Sequence, residues 1–233
     1  MTEKSERAVS FTHGIRLGLP MLGLPEANRP VSRVSPGIKR LEDVVLTTLL
    51  LAAVTPALLL IALAVRLDSP GPILFRQKRF GFNNGIIRVL KFRTMQVRCA
   101  DHDASAQTRR DDPRVTRIGA FLRRHSLDEL PQLLNVLRGE MSLVGPRPHA
   151  LGTTVQGHAL DDVFDCYVAR HRVKPGLTGW AQVNGWRGAL DTREKVIKRV
   201  EHDLYYIENW SLLLDLKILA KTVCCVLCDQ HAY

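Results

Sequence analysis

An apolar segment of 22 residues, from Val44 to Val65, contains no charged side chain and is the strongest constraint on how this chain can fold. As one continuous helix it would extend about 33 Å, enough to cross the hydrocarbon core of a bilayer. A signal peptide is not expected, because the segment begins some forty residues into the chain and lacks a small-residue cleavage pattern. A buried helix of a water-soluble protein rarely stays uncharged over such a length. We therefore expect this segment to enter a membrane.

The path of this segment is left open by two features. Pro56, which follows Thr55 in the middle of the run, removes one helical hydrogen bond and predicts a kink. Basic residues flank both ends, Lys39 and Arg40 before the run and Arg66 after it, so the positive-inside rule would keep both ends on the cytoplasmic face. A re-entrant helix that bends at Thr55–Pro56 satisfies both features. A kinked single span with the N-terminal tail outside is the alternative.

A second apolar stretch, Asn209–Cys228, lies near the C-terminus. It carries a few charged residues, including Asp215, and aromatic residues stand at its start. This pattern is typical of an amphipathic helix that lies in the membrane interface. An ordinary core helix would have a similar sequence, so both interpretations stay open.

The charge balance indicates an anionic partner. The chain has 33 Lys and Arg against 23 Asp and Glu, a formal net charge of +10 at pH 7, and such an excess is typical of proteins that bind nucleic acid, lipid head groups or phosphorylated substrates. Seven basic residues and no acidic one lie between Ser69 and Ala100. The Asn84–Gly85 pair predicts a hairpin over Ile73–Met95. Alternation along its second strand places Lys91 and Arg93 on one face, which we interpret as facing an anion.

An acidic pair, Asp128 and Glu129, stands among basic residues in the stretch RRHSLDELPQLLNVLRGEMSLVGPRP, residues 123–148. Ser126 to Glu129 matches a capping box, which would give the pair a purely structural role. Pro131 opposes this, because its ring would clash inside such a helix, whereas proline is favoured at the first helical position. A break before Pro131 would leave both carboxylates beside a helix N-terminus, where a carboxylate or a bound phosphate is stabilised.

Two adjacent carboxylates repel each other unless cations lie close. The candidates are Arg123, Arg124 and Arg147 nearby in the sequence and Lys91 from the hairpin. Mg²⁺ also fits, since it commonly takes one or two carboxylates plus phosphate oxygens. An aspartate nucleophile, a metal ion and neutralising arginines are the components of phosphoryl transfer. The residues alone therefore predict a membrane-surface enzyme that acts on phosphate esters.

Five stretches carry a resemblance to a known family: KRLEDVVL…TPALLLIALAVRLDSPGPILFRQKRFG, KFRTM, RRHSLDELPQLLNVLRGEMSLVGPRP, KPGLTGWAQVNGWRG and DLYYIENWSLLLDLKIL. In this order, from about Lys39 to Val223, they resemble the bacterial sugar transferases. These are the monotopic polyprenyl-phosphate sugar-1-phosphate transferases that begin the assembly of exopolysaccharides, capsules and O-antigens. The resemblance implies transfer of a sugar-1-phosphate from a UDP-sugar to undecaprenyl phosphate with release of UMP, through a covalent aspartyl-phospho-sugar intermediate.

Matching of the motifs implies roles for single residues. Asp128 would be the nucleophile and Glu129 a ligand of Mg²⁺. Lys91 and Arg123 would stabilise the diphosphate. Arg93, in the same KFRTM motif as Lys91, is a further candidate for substrate binding.

Further positions follow from the same resemblance. Pro146 and Arg147 would hold the nucleotide. Lys174 is a weaker candidate than Arg147, since some relatives have Arg at its position and the two side chains are not equivalent at a bidentate phosphate site. Thr55–Pro56 matches the break of a re-entrant helix. Lys39 and Asp215 would pair to join the membrane helix to the C-terminal segment.

The expected fold is α+β and helix-rich with a small β-hairpin, in a monotopic arrangement with a re-entrant N-terminal helix and C-terminal interfacial amphipathic helices. It divides into a weakly ordered, short polar tail at 1–37, a re-entrant helix at 38–67 and a catalytic domain at 68–233. That domain would lie on the cytoplasmic face of the bacterial inner membrane.

The expected partners are a UDP-sugar, undecaprenyl phosphate and membrane lipid, with Mg²⁺ as cofactor and no nucleic acid; a homo-oligomer stays open. The stretches at 181–188 and 203–218 look most like members that transfer glucose-1-phosphate, with galactose-1-phosphate close behind and an N-acetylhexosamine phosphate as a further alternative. A rival class is a membrane-tethered module that binds nucleic acid or anionic lipid through the basic hairpin. It leaves Asp128 and Glu129 unexplained, because their charge would weaken binding to a polyanion.

Overall fold

The computed structural model describes residues 35–97, 112–160 and 167–228. Most of the expected tail at 1–37 and the polar stretch at 98–111 lie outside the described residues. Six α-helices are found in the described part: α1 Pro36–Asp68, α2 Arg117–Arg124, α3 Leu133–Arg138, α4 Trp180–Val183, α5 Arg193–Asn209 and α6 Leu212–Cys228. The six strands there are β1 Leu74–Phe80, β2 Ile86–Phe92, β3 Ser142–Val144, β4 Thr154–Val155, β5 His158–Ala159 and β6 Gly176–Thr178. The expectation of a helix-rich fold with a small hairpin is confirmed.

The apolar segment forms the middle of helix α1, which continues through Pro56 over all of its 33 residues. The hydroxyl of Thr55 donates to the Leu51 carbonyl at 2.6 Å, beside the hydrogen bond that Pro56 cannot make. Within the described ranges, α1 is the one helix long and apolar enough to cross a membrane. Only 6% of its most apolar stretch of 18 residues is buried by protein. Its composition and exposure are consistent with membrane association.

The N-terminal end of α1 is attached to the rest of the fold by polar contacts. The guanidinium of Arg40 donates to the carbonyls of Val136 and Leu137 at 2.6 Å each. These carbonyls belong to the end of α3, where a cation is favoured by the helix dipole. The ammonium group of Lys39 lies 2.6 Å from the carboxylate of Asp215 in α6.

The C-terminal end of α1 is attached to the same body. Val65 is buried against Phe92 and Leu122. The guanidinium of Arg93 donates to the carbonyls of Val65 and Ser69 at 3.1 and 2.5 Å. Both ends of the apolar helix therefore contact one compact domain.

The predicted hairpin is present, with β1 and β2 antiparallel from Leu74 opposite Phe92 to Phe80 opposite Ile86. A short 3-10 helix, Phe82–Asn84, makes the turn. The residues with positive φ are Asn83 and Asn84 (φ 49° and 60°), so the tight turn lies one residue earlier than the Asn84–Gly85 pattern indicates.

The main core lies between the hairpin, α3 and the C-terminal helices. Leu133, Val136 and Met141 pack there against Val89 and Ile218, and all five residues are fully buried, with 0% exposure. Because Gly139 adopts φ 80°, which favours glycine, α3 ends there. A second strand pair, β3 with β6, is parallel and places Ser142 opposite Gly176.

The segment around the acidic pair differs from the sequence expectation. Leu127–Gln132 is a 3-10 helix that contains Pro131, and α3 begins only after it. Ser126 is left-handed (φ 57°) and its side chain caps nothing. The capping-box interpretation is therefore wrong, and the carboxylates are directed by an irregular turn rather than by an α-helical first turn.

Candidate active site

The acidic pair lies at the meeting point of three chain segments. The 3-10 helix supplies Asp128 and Glu129, strand β2 supplies Lys91, and the loop after β3 supplies Arg147. The Lys91 ammonium is 2.7 Å from a Glu129 oxygen and 3.8 Å from an Asp128 oxygen. Arg147 binds both Glu129 oxygens, at 2.8 and 2.5 Å, in the bidentate geometry of an arginine fork.

The two carboxylates are in different electrostatic states. Although burial alone would raise the pKa of Glu129, the charges and hydrogen bonds of Arg147 and Lys91 hold it well below its usual value. Asp128 is only 8% exposed, and its burial, together with the neighbouring Glu129 charge, raises its pKa against the opposing effect of Lys91. Such a divergence between neighbouring carboxylates is typical of sites where the two groups have separate tasks.

Two further arginines line the same cavity as Asp128. Arg123 donates to the Thr94 hydroxyl at 2.8 Å, and its charge lowers the pKa of Asp128. Arg187 donates to the hydroxyl of Ser126. The sequence reasoning missed Arg187, although it stands in the KPGLTGWAQVNGWRG motif; only the fold shows that this loop reaches the acidic pair.

Three predicted site residues are bonded to other parts of the fold, although Arg93 also lines the cavity over the acidic pair. Arg93 is bonded to the end of α1, as described above. Pro146 is buried, and its carbonyl accepts from the Gly176 N–H at 2.9 Å. Lys174 is exposed, and its ammonium approaches Gly139 at the C-terminal end of α3. Roles in substrate binding for these three residues stay predictions.

A cavity of about 1430 Å³ opens over the acidic pair. Part of its wall is apolar and comes from the membrane helix and α6: Leu46, Leu50, Leu216 and Leu219. Another part is cationic and comes from β1, the loop after β3 and the C-terminal half of the chain: Arg79, Arg147, Arg170 and Arg199. Ligand sites for one small molecule usually have about 300–1,000 Å³, so this volume accommodates a large amphipathic ligand or two ligands side by side.

Asp215 is fully buried, with 0% exposure. Besides Lys39, its carboxylate accepts from the Tyr206 hydroxyl at 2.9 Å and from the Trp210 indole N–H at 2.8 Å. A buried carboxylate is tolerated only when it is paired and hydrogen-bonded. Asp215 is therefore the centre of the polar contacts that join α6 to Lys39 in α1.

A magnesium ion can be tested against the donor groups. In the part of the chain that the structure describes, no group of three or more His, Cys, Asp or Glu side chains could hold a metal ion. Mg²⁺ commonly binds one or two carboxylates and completes its shell with water and substrate phosphate oxygens. Asp128 and Glu129, which both line the cavity, fit this mode of binding together with a phosphorylated substrate.

The fold and the site define a membrane-associated protein with a buried acidic pair, surrounded by Lys and Arg, in a cavity that is partly apolar. This arrangement suits the binding of phosphate esters attached to an apolar group. The family model described as bacterial sugar transferase matches residues 34–229. The chain belongs to the bacterial sugar transferase family, as the resemblance in its motifs predicts.

Several curated relatives are highly similar. An undecaprenyl-phosphate glucose phosphotransferase of Komagataeibacter xylinus is 56% identical over 195 residues, which cover 84% of this chain and 37% of that protein. A UDP-glucose:undecaprenyl-phosphate glucose-1-phosphate transferase of Escherichia coli K12 is 51% identical over 216 residues, 93% of this chain and 45% of the relative. One of the same name from Caulobacter vibrioides is 50% identical, over 88% of this chain and 75% of that protein. The chain thus spans less than half the length of the first two relatives.

Proposed function

We propose that the protein transfers glucose-1-phosphate from UDP-glucose to undecaprenyl phosphate and releases UMP. The observation that carries the proposal is the acidic pair, in which Glu129 is neutralised by Arg147 and Lys91 while Asp128 keeps no contact shorter than 3.8 Å with Lys91. The names of the relatives supply the substrates: UDP-glucose and undecaprenyl phosphate.

The proposed chemistry proceeds in two displacements at one phosphorus atom. A carboxylate oxygen of Asp128 attacks the sugar-bearing phosphorus of the donor, and an oxygen–phosphorus bond forms. The bond from that phosphorus to the bridging oxygen breaks, and UMP leaves with the electron pair. The phosphate oxygen of the lipid then attacks the same phosphorus, and the Asp128 carboxylate is released unchanged.

The surrounding cations have separate tasks in this mechanism. Lys91 and Arg147 are positioned to receive the donor diphosphate, whose negative charge would compete with Glu129 for them. The raised pKa of Asp128, caused by burial, makes its carboxylate more basic and hence a better nucleophile once ionised. Mg²⁺, for which Glu129 would be the protein ligand, would supply additional charge neutralisation.

The apolar part of the cavity supports a lipid as acceptor. Its leucines belong to α1, whose outer surface is exposed, and to α6. A polyprenyl chain could therefore lie against these helices while its phosphate reaches the acidic pair. If water were the acceptor of the sugar phosphate, no apolar wall would be required.

We infer that α1 is re-entrant and that residues 68–233 form the catalytic domain on the cytoplasmic face of the membrane. From Lys39 to Val65 a straight helix would extend about 39 Å, more than the thickness of a bilayer core. Yet Arg40 is bonded to α3, Val65 packs on β2, and α3 is joined to β2 through the Asn135 side chain, which accepts from the Leu90 N–H at 2.9 Å. Contacts from both helix ends to one body support an entry and an exit on the same side.

Activity is tested by release of UMP from detergent-extracted protein supplied with UDP-glucose, undecaprenyl phosphate and Mg²⁺. Asp128→Asn should abolish release, whereas Glu194→Gln, a change of an exposed carboxylate on α5, should leave it unchanged. Without the lipid, mass spectrometry of the quenched protein should show an added hexosyl phosphate that is absent from Asp128→Asn. Normal turnover by Asp128→Asn would refute the mechanism.

The sugar is tested by a panel of UDP-sugars in the same assay. UDP-glucose should give the highest kcat/KM. A preference for UDP-galactose or a UDP-N-acetylhexosamine would preserve the mechanism and change the substrate.

The topology of α1 is tested with single cysteines in a background without native cysteines. Leu41 and Leu67, 65% and 77% exposed, lie near its two ends. Leu41→Cys and Leu67→Cys should both react with a membrane-impermeant maleimide in inverted vesicles and neither in right-side-out vesicles. Labelling of the two positions from opposite sides would establish a single span instead.

A further inference from the structure

Among the arginines that line the cavity are Arg79, Arg147, Arg170 and Arg199, and two of these four are paired with a carboxylate. Arg147 is bound to Glu129, and Arg170 lies 2.6 Å from Asp203. Around Arg79 and Arg199, no carboxylate of the described residues lies within 4 Å. This arginine group, Arg79 with Arg147, Arg170 and Arg199, therefore has more positive than negative charge in a largely buried environment.

Arg79 is held by neutral acceptors. Its guanidinium donates to the Pro148 carbonyl at 2.6 Å and twice to the side-chain oxygen of Gln77, at 3.1 and 2.8 Å. An arginine has five N–H donors in a planar fork. Two donors are left after these contacts, and neutral acceptors do not compensate the positive charge.

The neighbour of Arg79 across Pro148 is Arg147. Burial lowers the pKa of Arg79 to about 10, and the charge of Arg147 is the second cause. Two guanidinium groups that repel each other in a low-dielectric cavity are stabilised when a dianion binds both. Phosphate oxygens match the geometry of the arginine fork.

We propose that Arg79 is a direct phosphate ligand and that, together with Arg147, it forms the subsite for the nucleoside monophosphate that leaves in the first displacement. This inference rests on the proposed function. When the bond to the bridging oxygen breaks, negative charge accumulates on the leaving phosphate, and a second guanidinium there would stabilise that charge.

The position of Arg79 favours the nucleotide over the lipid as the source of this phosphate. All hydrogen-bond partners of its guanidinium come from β1 and the loop after β3, and its backbone bridges to Ala150 of that loop. None of them belongs to α1 or α6, which carry the apolar wall. A water-soluble donor suits this cationic part of the cavity, and the polyprenyl chain suits the other.

The test compares Arg79→Gln with Arg88→Gln, a matched change of an exposed arginine in the partner strand of the hairpin. Transfer of radiolabelled sugar into organic-extractable lipid is measured, with UMP as inhibitor and with varied undecaprenyl phosphate. In Arg79→Gln the inhibition constant of UMP should rise about tenfold or more, as expected for the loss of a hydrogen bond to a charged group, while the KM for the lipid stays unchanged. Arg88→Gln should alter neither constant.

Other outcomes overturn the inference. A rise in the KM for the lipid with unchanged UMP inhibition would assign the subsite to the acceptor phosphate. Equal changes in both constants, or no change, would leave Arg79 with a structural role only, as the donor to the Pro148 carbonyl. Gln77→Leu checks for this structural role, because it removes a neutral acceptor and keeps the charge of Arg79. If it weakens inhibition by UMP as much as Arg79→Gln does, the direct contact is excluded.

Two further controls separate this inference from the proposed function. Should Arg79→Gln fail to fold, Arg79→Lys is judged by the same two constants, since lysine keeps the charge without the fork. A wild-type protein that releases no UMP would refute the proposed function itself. An active wild type whose UMP inhibition is insensitive to Arg79 would refute only the subsite.

Discussion

Replacing the two carboxylates of the acidic pair by their amides should change the stability of the protein in opposite directions. Glu129 is paired with Lys91 and Arg147, which lower its pKa, so its ionised form is favoured in the fold. Asp128 has a pKa raised by burial, so its ionised form is disfavoured there. Glu129→Gln should therefore destabilise the protein, and Asp128→Asn should leave its stability unchanged or increase it.

The expected size of the first effect follows from the pairing. Glu129→Gln leaves Lys91 and Arg147 largely buried without their counter-charge, and the side chains of the pair are only 12–23% exposed. Breaking a buried ion pair in this way costs about 3 kcal/mol. For a domain of this size about 2–4 °C of Tm corresponds to 1 kcal/mol, so the Tm should fall by about 6–12 °C.

The assay is thermal unfolding in detergent, followed by circular dichroism or intrinsic fluorescence, across a range of pH. The stability that Glu129 contributes is present above its usual pKa of 4.5 and is lost as the pH falls through its lower folded pKa. The difference between wild type and Glu129→Gln should therefore shrink in acid. The pH dependence of the stability that Asp128 contributes has the opposite sign. Because its pKa is raised, wild type loses stability relative to Asp128→Asn as the pH rises through that pKa. The reasoning fails if Glu129→Gln has the Tm of wild type at pH 7, or if Asp128→Asn is the less stable of the two variants.

Three further outcomes are expected. Asp215→Asn should weaken the contact between α1 and α6 and lower the Tm by about as much as Glu129→Gln, because the Lys39 contact and two hydrogen bonds depend on this carboxylate; unchanged unfolding would contradict it. Gly119→Ala should strongly reduce stability and UMP release together, since an added Cβ would lie 2.2 Å from the Thr94 carbonyl, and an active, stable variant would show that the two segments can separate. The acid limb of kcat/KM for UMP release should lie above pH 3.8, the usual pKa of an aspartate, because the pKa of Asp128 is raised; a limb at or below that value would exclude Asp128 as the titrating nucleophile.

The elements with local signals could be predicted from the sequence. The uncharged run predicted α1, and the asparagine–glycine pattern predicted the hairpin. The cations around Glu129 were also predicted, because a pair of adjacent carboxylates requires positive charge nearby. In these cases the chemistry of a few neighbouring residues determines the structure.

Contacts between distant segments could not be predicted in the same way. The short pattern from Ser126 to Glu129 indicated an α-helical cap, but Ser126 is instead left-handed and receives a hydrogen bond from Arg187, 61 residues away. Likewise, Asp43 in α1 accepts from the Ser142 hydroxyl at 2.9 Å and from the Leu143 N–H at 3.0 Å. Local propensity carries no information about such long-range partners, which is why tertiary contacts override it.

The strand β2 connects the acidic pair to helix α1, and under the proposed function this connection would place the nucleophile beside its lipid substrate. Lys91, near the end of the strand, holds Glu129, and Arg93, two residues later, holds the carbonyls at the end of α1. With strand residues about 3.3 Å apart, the backbone positions of these two contacts differ by about 7 Å. On the proposed topology α1 leaves the bilayer at this point, so the acidic pair is fixed at the depth of the lipid head groups, where the phosphate of a polyprenyl chain also lies. A cytosolic loop that moves freely relative to α1 could not set that depth.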